Sequence, residues 1–342
     1  MFRNPIVTVS PKFTTRIIAA ALAFVIGIGI YRVFFTEADA STQPPGSTDD
    51  GNGTPAEDID TSGQEDESED EVDKDDSDTI YNDKNAEVLG NQISSQAAIL
   101  CNNAKNTVIA KKSEHSYITS ATVLSLSVAL TVMDALSTGE ITANDRAVCP
   151  ASSVRLPCYK DTSAILSVGQ SLTVAELIKC MFCAQPELFA YTLAIHVAGG
   201  EMNFVNRMNT LLYDIGIRDT VFRSVSDPSL QNTTVTDAAV IFRSAMENPS
   251  LKSLLTTAMT FTVSASGSAW STVTLCNRFY SECCTEGQAR ADGIIGGYFS
   301  ETGGKQFVFM LFDQGGSEHI AITVGSETAY ADALILLARS VR

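Results

Sequence analysis

The chain has 342 residues, of which 44% are hydrophobic, and its formal net charge is −17. This length suits one or two domains, and the apolar content is enough for a sizeable core. The charge excludes a typical nucleic-acid-binding protein, which needs a basic face to displace phosphate counterions. The excess of negative charge is concentrated in one segment. Residues 36–83 hold 18 acidic residues and one lysine, whereas residues 84–342 hold 22 acidic and 18 basic residues.

The N-terminal 36 residues contain an apolar run typical of a membrane anchor. Residues 17–35 are apolar except for Arg32, which can snorkel to the interface, and a bilayer needs about 20 such residues. Basic residues precede the run, which predicts a single-pass protein whose C-terminal part is exported. The alternative is a signal peptide cleaved near Ala40, after the small residues of Ala-Asp-Ala at 38–40. Both interpretations export the remainder of the chain.

Residues 37–90 are interpreted as an acidic tether. The segment holds almost no large apolar side chain, so burial cannot offset the entropy of ordering it. Repulsion between its carboxylates keeps such a segment extended. An EF-hand starting at Asp73 is excluded, since Asp78 and Lys84 stand where the loop needs glycine and glutamate.

The folded part is predicted to span residues 91–342 as an α/β (α+β) domain. Strands at both ends should form one antiparallel sheet that is flanked by helices, with an all-helical block in the middle of the sequence. A nearly all-apolar helix, capped by Thr119 or Ser120, is expected to be central and buried. The predicted strands are two within 92–110, then 258–263, 293–299, 305–312 and 319–324, and the predicted helices are 120–136, 173–198 with a break at Pro186, 202–215, 236–247 and 328–341.

Four stretches in order resemble the serine D-alanyl-D-alanine carboxypeptidases, peptidase family S11, which are low-molecular-mass penicillin-binding proteins with a β-lactamase-like fold. The resemblance implies an extracytoplasmic enzyme that trims peptidoglycan peptides through an acyl-enzyme and needs no cofactor. The stretches are AAILCNNAKNTVIAKKSEHSYITSAT at 97–122, VGQSLTVAELIKCMF at 168–182, FAYTLAIHVAGGEMNFVNRMNTLLYDIGIRDTVF at 189–222, and ADGIIGGYF at 291–299 followed by KQFVFMLF.

The first family motif, S-x-x-K, places a lysine amine one helical turn from the serine that it activates. The matching residues are Ser120-Ala121-Thr122-Val123, so the serine is present but valine replaces the base. Valine cannot accept a proton, and S-x-x-K occurs nowhere else in the chain.

The other two motifs are also degenerate. Ala184-Gln185-Pro186 matches S-x-N, which relays protons, and has lost both polar groups. Ile295-Gly296-Gly297 matches K-[ST]-G, which attracts the substrate carboxylate, and keeps only the last glycine. Five of the six defining side chains are therefore missing, and losing one member of such a cluster commonly costs on the order of 10⁴-fold in rate.

Two features of the family's site could survive these losses. The resemblance implies an oxyanion hole formed by the backbone amides of Ser120 and Tyr298, which any side chain can supply. Two interpretations of Ser120 remain open: it is a surviving nucleophile, or it is a helix N-cap retained for stability.

Replacement bases are not indicated by any spacing. Lys111, Lys112, Lys160, Lys305 and His115 are the candidates that could approach Ser120 in three dimensions. His196 lies in an apolar helix and is interpreted as a satisfied core residue, and His319 as structural. These three scattered histidines give no metal-ligand spacing, so no metal is expected.

Eight cysteines lie in the predicted exported domain, which suits an oxidising compartment. The connectivity cannot be deduced from sequence, and the local pairs that the sequence suggests are Cys149 with Cys158, and Cys276 with Cys283 or Cys284. Cys180 and Cys183 have redox-motif spacing, although their position within a predicted helix favours buried thiols or a local disulfide.

Two functional hypotheses follow. The first is an inactive carboxypeptidase-like domain on an acidic stalk that binds a peptidoglycan stem peptide or a surface protein at the cell wall. The alternative is an active carboxypeptidase that forms an acyl-enzyme at Ser120 with a displaced base.

Overall fold

The computed structural model describes residues 81–184, 186–265 and 272–340. The predicted anchor at 17–35, the site of signal cleavage and nearly all of the predicted tether lie outside these residues. Within the described ranges, no helix combines the length and the apolar character needed to cross a membrane.

A six-stranded sheet forms the centre of the domain, in the order β1-β3-β2-β12-β11-β10. All neighbouring strands are antiparallel except β1 and β3. The first hairpin and the last strands therefore share one sheet, as predicted. The strands are β1 Glu87–Val88, β2 Ala97–Asn102, β3 Thr107–Lys112, β10 Ile294–Thr302, β11 Lys305–Gln314 and β12 Ser317–Ser326.

Both faces of this sheet are covered. Alternate side chains of β2 point to opposite faces, so Ile99 and Cys101 join one apolar cluster while Ala98 and Leu100 join another. The two-sided burial explains why β2 reads as an unbroken apolar run rather than an alternating one.

Helix α1, Ala121–Ser137, lies in the centre of the helical block. It contacts β10 and four helices of the block, and its residues Leu124, Val128 and Val132 are completely buried. Gly139, with a φ of 76°, follows its C-terminus. The other helices are α2 Tyr159–Thr162, α3 Val174–Cys183, α4 Glu187–Ala198, α5 Glu201–Asp214, α6 Val235–Glu247, α7 Pro249–Thr256, α8 Glu286–Ala291 and α9 Ala329–Arg339.

The structure adds three small sheets to the prediction. The predicted strand at 258–263 corresponds to β8, Thr260–Ser264, which pairs with β9, Thr272–Cys276, outside the main sheet. The other short pairs are β4 Arg146–Val148 with β5 Ser171–Thr173, and β6 Val221–Phe222 with β7 Gln231–Asn232.

The fold also begins earlier than the boundary predicted at residue 90. Tyr81 is buried, and Asn82 forms a β-bridge with Thr107. Strand β1 pairs with β3, and Lys111 forms an ion pair with Asp83. Residues 81–90 therefore belong to the domain rather than to the tether.

Candidate functional site

Ser120 caps the central helix. Its backbone is extended, with φ −142° and ψ 112°, and its hydroxyl oxygen accepts a hydrogen bond from the amide of Val123 at 3.4 Å. This is the geometry of an N-cap. The residue is only 1% exposed. The hydroxyl is thus already used to hold the helix start and has almost no contact with solvent.

Among the described residues, none of the candidate bases forms a hydrogen bond with the hydroxyl of Ser120. Val123, at the lysine position, is 0% exposed and belongs to the core cluster. Lys111 contacts Asp83 and Glu114, and Lys112 donates to the carbonyl of Ile93. Of the remaining candidates, Lys305 lies 3.9 Å from Glu327, Lys160 is exposed, and His115 is 62% exposed beside Glu114.

The third-motif residues lie on β10, close to α1. Thr122 on α1 and Ser300 on β10 bring their hydroxyl oxygens within 2.6 Å. The structure therefore assembles the helix that begins at Ser120 and the strand that carries Ile295, Gly296 and Gly297, as the resemblance implied.

The space that a side chain at Gly296 would fill is occupied. An ideal Cβ there would lie 2.5 Å from Cα of Thr256 and 2.7 Å from the carbonyl oxygen of Leu255, both at the end of α7. At Gly297, a Cβ would collide with the carbonyl oxygen of Phe309 and lie 2.7 Å from the ring of Phe279. Main-chain atoms therefore stand where the family's hydroxyl side chain would begin.

Tyr280 closes the same region. Its hydroxyl oxygen lies 2.9 Å from the carbonyl of Thr256 and 3.0 Å from the carbonyl of Ile295. The phenol thus joins the end of α7 to β10, which is the last strand of the main sheet. The contact occupies a carbonyl on β10 that would otherwise be available to a bound peptide.

Tyr298, the second residue of the predicted oxyanion hole, is also buried. It is 4% exposed, and its ring packs edge-on against Phe182 with centroids 5.1 Å apart. Burial raises the pKa of its phenol well above the usual value. Because Ser120 and Tyr298 are both shielded from solvent, a substrate carbonyl has no open route to their amides in this conformation.

The second motif lies at the junction of α3 and α4. The predicted helix break is confirmed, since Ala184 is the C-cap of α3 and Pro186 the N-cap of α4. Gln185 lies outside the described residues. Neither Ala184 nor Pro186 offers a side-chain donor or acceptor to a ligand.

Glu187 is the site residue that sequence reasoning missed. It follows Pro186 at the start of α4, and its Oε2 atom is buried with no hydrogen-bond partner among the described residues. Burial raises the pKa of this carboxyl, and the nearby Asp227 raises it further. Glu187 in turn raises the pKa values of Cys158 and Tyr298, so it lies within electrostatic range of both. A carboxyl group therefore lies near the degenerate motifs, together with the cation Arg278, which lowers the pKa of Tyr298.

We expect Glu187→Gln to stabilise the domain at neutral pH. When the pKa of a carboxyl is higher in the folded than in the unfolded state, the domain loses stability as the pH rises from about 4.5 through the folded pKa. The stabilisation should therefore be small near pH 4 and grow towards pH 7 in urea unfolding experiments. The exposed Glu301 provides a matched control, Glu301→Gln, which should show no such trend. A Glu187→Gln effect that is independent of pH would contradict the assignment.

Two of the three histidine interpretations can be compared with the geometry. His319 is structural as predicted, with Nδ1 at 2.8 Å from the carbonyl of Ser317 and Nε2 at 3.0 Å from Nδ2 of Asn102. His196 is not the satisfied core residue that was expected. It is half-buried, and its buried Nε2 has no partner among the described residues.

A cluster of possible metal ligands includes two residues that shortly precede Ser120 in the sequence. Ligand atoms of Asp83, Glu114 and His115 lie within 4.8 Å of one another. The ammonium of Lys111 contacts Asp83 at 2.5 Å and Glu114 at 2.9 Å. One protein cation therefore already balances part of the charge of these two carboxylates.

The eight cysteines are free thiols in this structure, so the predicted pairs of Cys149 with Cys158 and of Cys276 with Cys283 or Cys284 are not formed. Burial raises the pKa values of Cys180 and Cys183 to about 12. Their thiolate fraction at neutral pH is negligible, which argues against a redox motif.

The arrangement as a whole, a sheet with α9 on one face and a helical block on the other, is that of DD-peptidases. The D-alanyl-D-alanine carboxypeptidase of Mycobacterium tuberculosis H37Rv matches it with a TM-score of 0.59 and 19% identity, over 72% of this chain and 92% of that chain. A point mutant of the Streptomyces K15 DD-transpeptidase matches with a TM-score of 0.60 and 20% identity, over 72% of this chain and 97% of that chain.

The family follows from the sequence profile of the D-alanyl-D-alanine carboxypeptidases, peptidase family S11, which matches residues 82–328. The chain belongs to this family. It is also 23% identical over 129 residues to the D-alanyl-D-alanine carboxypeptidase DacF of Bacillus subtilis (strain 168), which is 38% of this chain. That match spans about a third (32%) of the length of DacF. The predicted family and fold are confirmed.

Proposed function

We propose that the domain is a catalytically inactive carboxypeptidase-like module that is held outside the cytoplasm and binds a ligand at the cell wall. The ligand class we favour is a peptidoglycan stem peptide or a surface protein. The N-terminal segment is proposed to act as a membrane anchor, with secretion after cleavage near Ala40 as the alternative.

The observation that carries this proposal is the burial of Ser120 without a base. Its hydroxyl caps α1, and an apolar valine stands at the position of the lysine. A serine hydroxyl is a poor nucleophile unless a neighbouring group removes its proton. Substrate access is opposed as well, because the end of α7 packs directly against Gly296.

The charge of the region supports the same proposal. Family members attract a substrate carboxylate with a lysine on the third-motif strand, and Ile295 replaces that lysine here. The ionisable groups near Tyr298 on this strand include the acid Glu187 and the cation Arg278, whose guanidinium lies over the ring of Phe299. A carboxylate-terminated substrate would therefore lose the lysine charge that attracts it in the family.

The first test is covalent labelling of the full-length protein with a fluorescent penicillin, beside an active family member as positive control. We expect no adduct at Ser120 and no release of D-alanine from a peptide ending in D-Ala-D-Ala. Relative to the active enzyme, the acylation rate should fall by a factor on the order of 10⁴ or more. Protein electrophoresis with fluorescence detection and intact mass spectrometry measure the result.

A stoichiometric adduct that disappears in Ser120→Ala would overturn inactivity and establish the displaced-base alternative. Ser120→Thr provides a control that retains a capping hydroxyl, so folding and labelling can be separated. Binding of the uncleaved peptide, measured by calorimetry, then tests the ligand-binding part of the proposal. An absence of binding to both the peptide and isolated peptidoglycan would count against a cell-wall ligand.

A further inference from the structure

We propose that Cys183 and Cys276 form a disulfide bond in an oxidising compartment, and that this bond links α3 to the β8–β9 hairpin beside the site. The proposal relies on the export included in the proposed function. It differs from both pairings that the sequence suggested.

The packing of α3 on the hairpin places the two cysteines near each other. Helix α3 contacts β9, and the ammonium of Lys179 on α3 lies 5.7 Å from the ring centre of Phe261 on β8. Phe261 is opposite Leu275 in the hairpin register. Cys183 is one helical turn beyond Lys179 on the same side of α3, and Cys276 is the residue after Leu275.

Electrostatics agree with this placement. Burial is the main cause that raises the pKa of Cys183, to about 12, and Cys276 raises it further. Cys276 therefore lies within electrostatic range of the Cys183 thiol, as the packing of α3 on the hairpin requires. Cys276 is exposed, so a small oxidant can reach it, while Cys183 is buried.

Other thiols have different neighbours. The thiol of Cys149 interacts with the hydroxyls of Ser153 and Thr192. Cys284 interacts with the hydroxyl of Tyr330. Of the eight thiols, Cys276 is the exposed one, and Cys180 on the same helix, whose pKa Cys183 raises, is the competing partner.

The chemistry is thiol–disulfide exchange with a small-molecule disulfide such as glutathione disulfide. The thiolate of Cys276 attacks one oxidant sulfur, and the oxidant S–S bond breaks to release one glutathione thiolate. The buried thiol of Cys183 then loses its proton to solvent and attacks the Cys276 sulfur of the mixed disulfide, and the second glutathione leaves as a thiolate; this second step is slow because burial raises the pKa of Cys183. Two protein thiols are oxidised, one glutathione disulfide is reduced to two thiols, and the two protons pass to solvent and to the leaving thiolates.

The bond would fix two walls of the site to each other. Ala184, the second-motif residue, directly follows Cys183. Asn277 directly follows Cys276, and its amide group lies 3.3 Å from the carbonyl of Leu254 and 3.2 Å from that of Thr257. The disulfide would therefore tie the second-motif turn to the end of α7, which fills the space beside Gly296.

The test is peptide mapping of the full-length protein after equilibration with glutathione disulfide. Trypsin separates the relevant cysteines, since its sites place Cys276 in residues 253–278 and Cys283 and Cys284 in residues 279–290. Cys180 and Cys183 share the peptide 180–207, so fragmentation must distinguish them. We expect a cross-link between Cys183 and Cys276, and reduction should lower Tm by about 5–15 °C, because the bond closes a long loop.

The variants Cys183→Ser and Cys276→Ser should each abolish the cross-link and the effect of reduction on Tm, whereas Cys283→Ser should change neither. The proposal is overturned if Cys276 pairs with Cys283 or Cys284, if Cys180 pairs with Cys183, or if both thiols stay free after equilibration. Penicillin labelling of the reduced protein does not depend on this bond, so the two proposals can fail separately.

Discussion

Gly296→Thr is expected to destabilise the domain by about 2–4 kcal/mol and not to restore a substrate clamp. The new Cβ would lie 2.5 Å from Cα of Thr256 and 2.7 Å from the carbonyl oxygen of Leu255. Both obstacles are main-chain atoms of a helix end, so a side-chain rotation cannot relieve the collision. Overpacking of this kind costs about 1–3 kcal/mol, and a forced main-chain shift adds to it. Urea unfolding followed by circular dichroism measures the change.

Gly287→Thr is the matched control for this substitution. Gly287 lies in α8, and no heavy atom outside its immediate chain neighbourhood lies within 4 Å of an ideal Cβ there. Threonine is also a better helix former than glycine, so a change within about 0.5 kcal/mol is expected. If Gly296→Thr were tolerated as well as Gly287→Thr, the end of α7 would have to be displaced easily, and the closed site would lose its main structural support.

The degenerate third motif is therefore coupled to the packing of its surroundings. Loss of the side chain at position 296 allows α7 to approach β10 closely, and Tyr280 bonds to carbonyls of both elements. A single substitution that restores the family residue at position 296 therefore collides with the end of α7 before it can contact a substrate. The absence of a catalytic side chain and the closed surface around it are two aspects of one arrangement.

Sequence patterns predicted the elements whose signals are local. The apolar character of α1 on nearly all sides indicated a central helix, and Ser120, its cap in the structure, was one of the two candidates beside Thr119. Pro186 indicated the break between α3 and α4. The strands of the main sheet other than β1 were predicted because β-rich runs bounded by turns are a short-range signal.

The features that were missed depend on contacts between distant residues. Helix α7 has eight residues, which is too short for a clear apolar period, and β9 has five. Glu187 looks like an ordinary acid in the first turn of a helix, because its burial depends on residues remote in sequence such as Asp227. The closeness of Cys183 to the hairpin likewise depends on how α3 packs.

The most demanding single substitution in the site is Val123→Lys, which returns the family's base to its position. We expect it to lower the free energy of unfolding by about 3–5 kcal/mol at pH 7 and to leave penicillin labelling undetectable. Val123 is completely buried in the core, and an ammonium without a partner there loses its hydration. Ala184, Pro186 and Ile295 would still supply no polar side chain to complete the catalytic group.

Val123→Met separates the effect of charge from that of size, since methionine has a long unbranched side chain without a charge. It should cost about 1–3 kcal/mol through overpacking alone, and this cost should not vary with pH. The extra cost of Val123→Lys should shrink as the pH rises towards the usual pKa of a lysine, about 10.4, because the unfolded chain then loses its proton too. A Val123→Lys protein that folds as stably as Val123→Met and reacts with penicillin at Ser120 would mean that the site needs only its base to work. In that case the loss of one side chain, the lysine, would explain the inactivity. The packing around Gly296 would not exclude substrates.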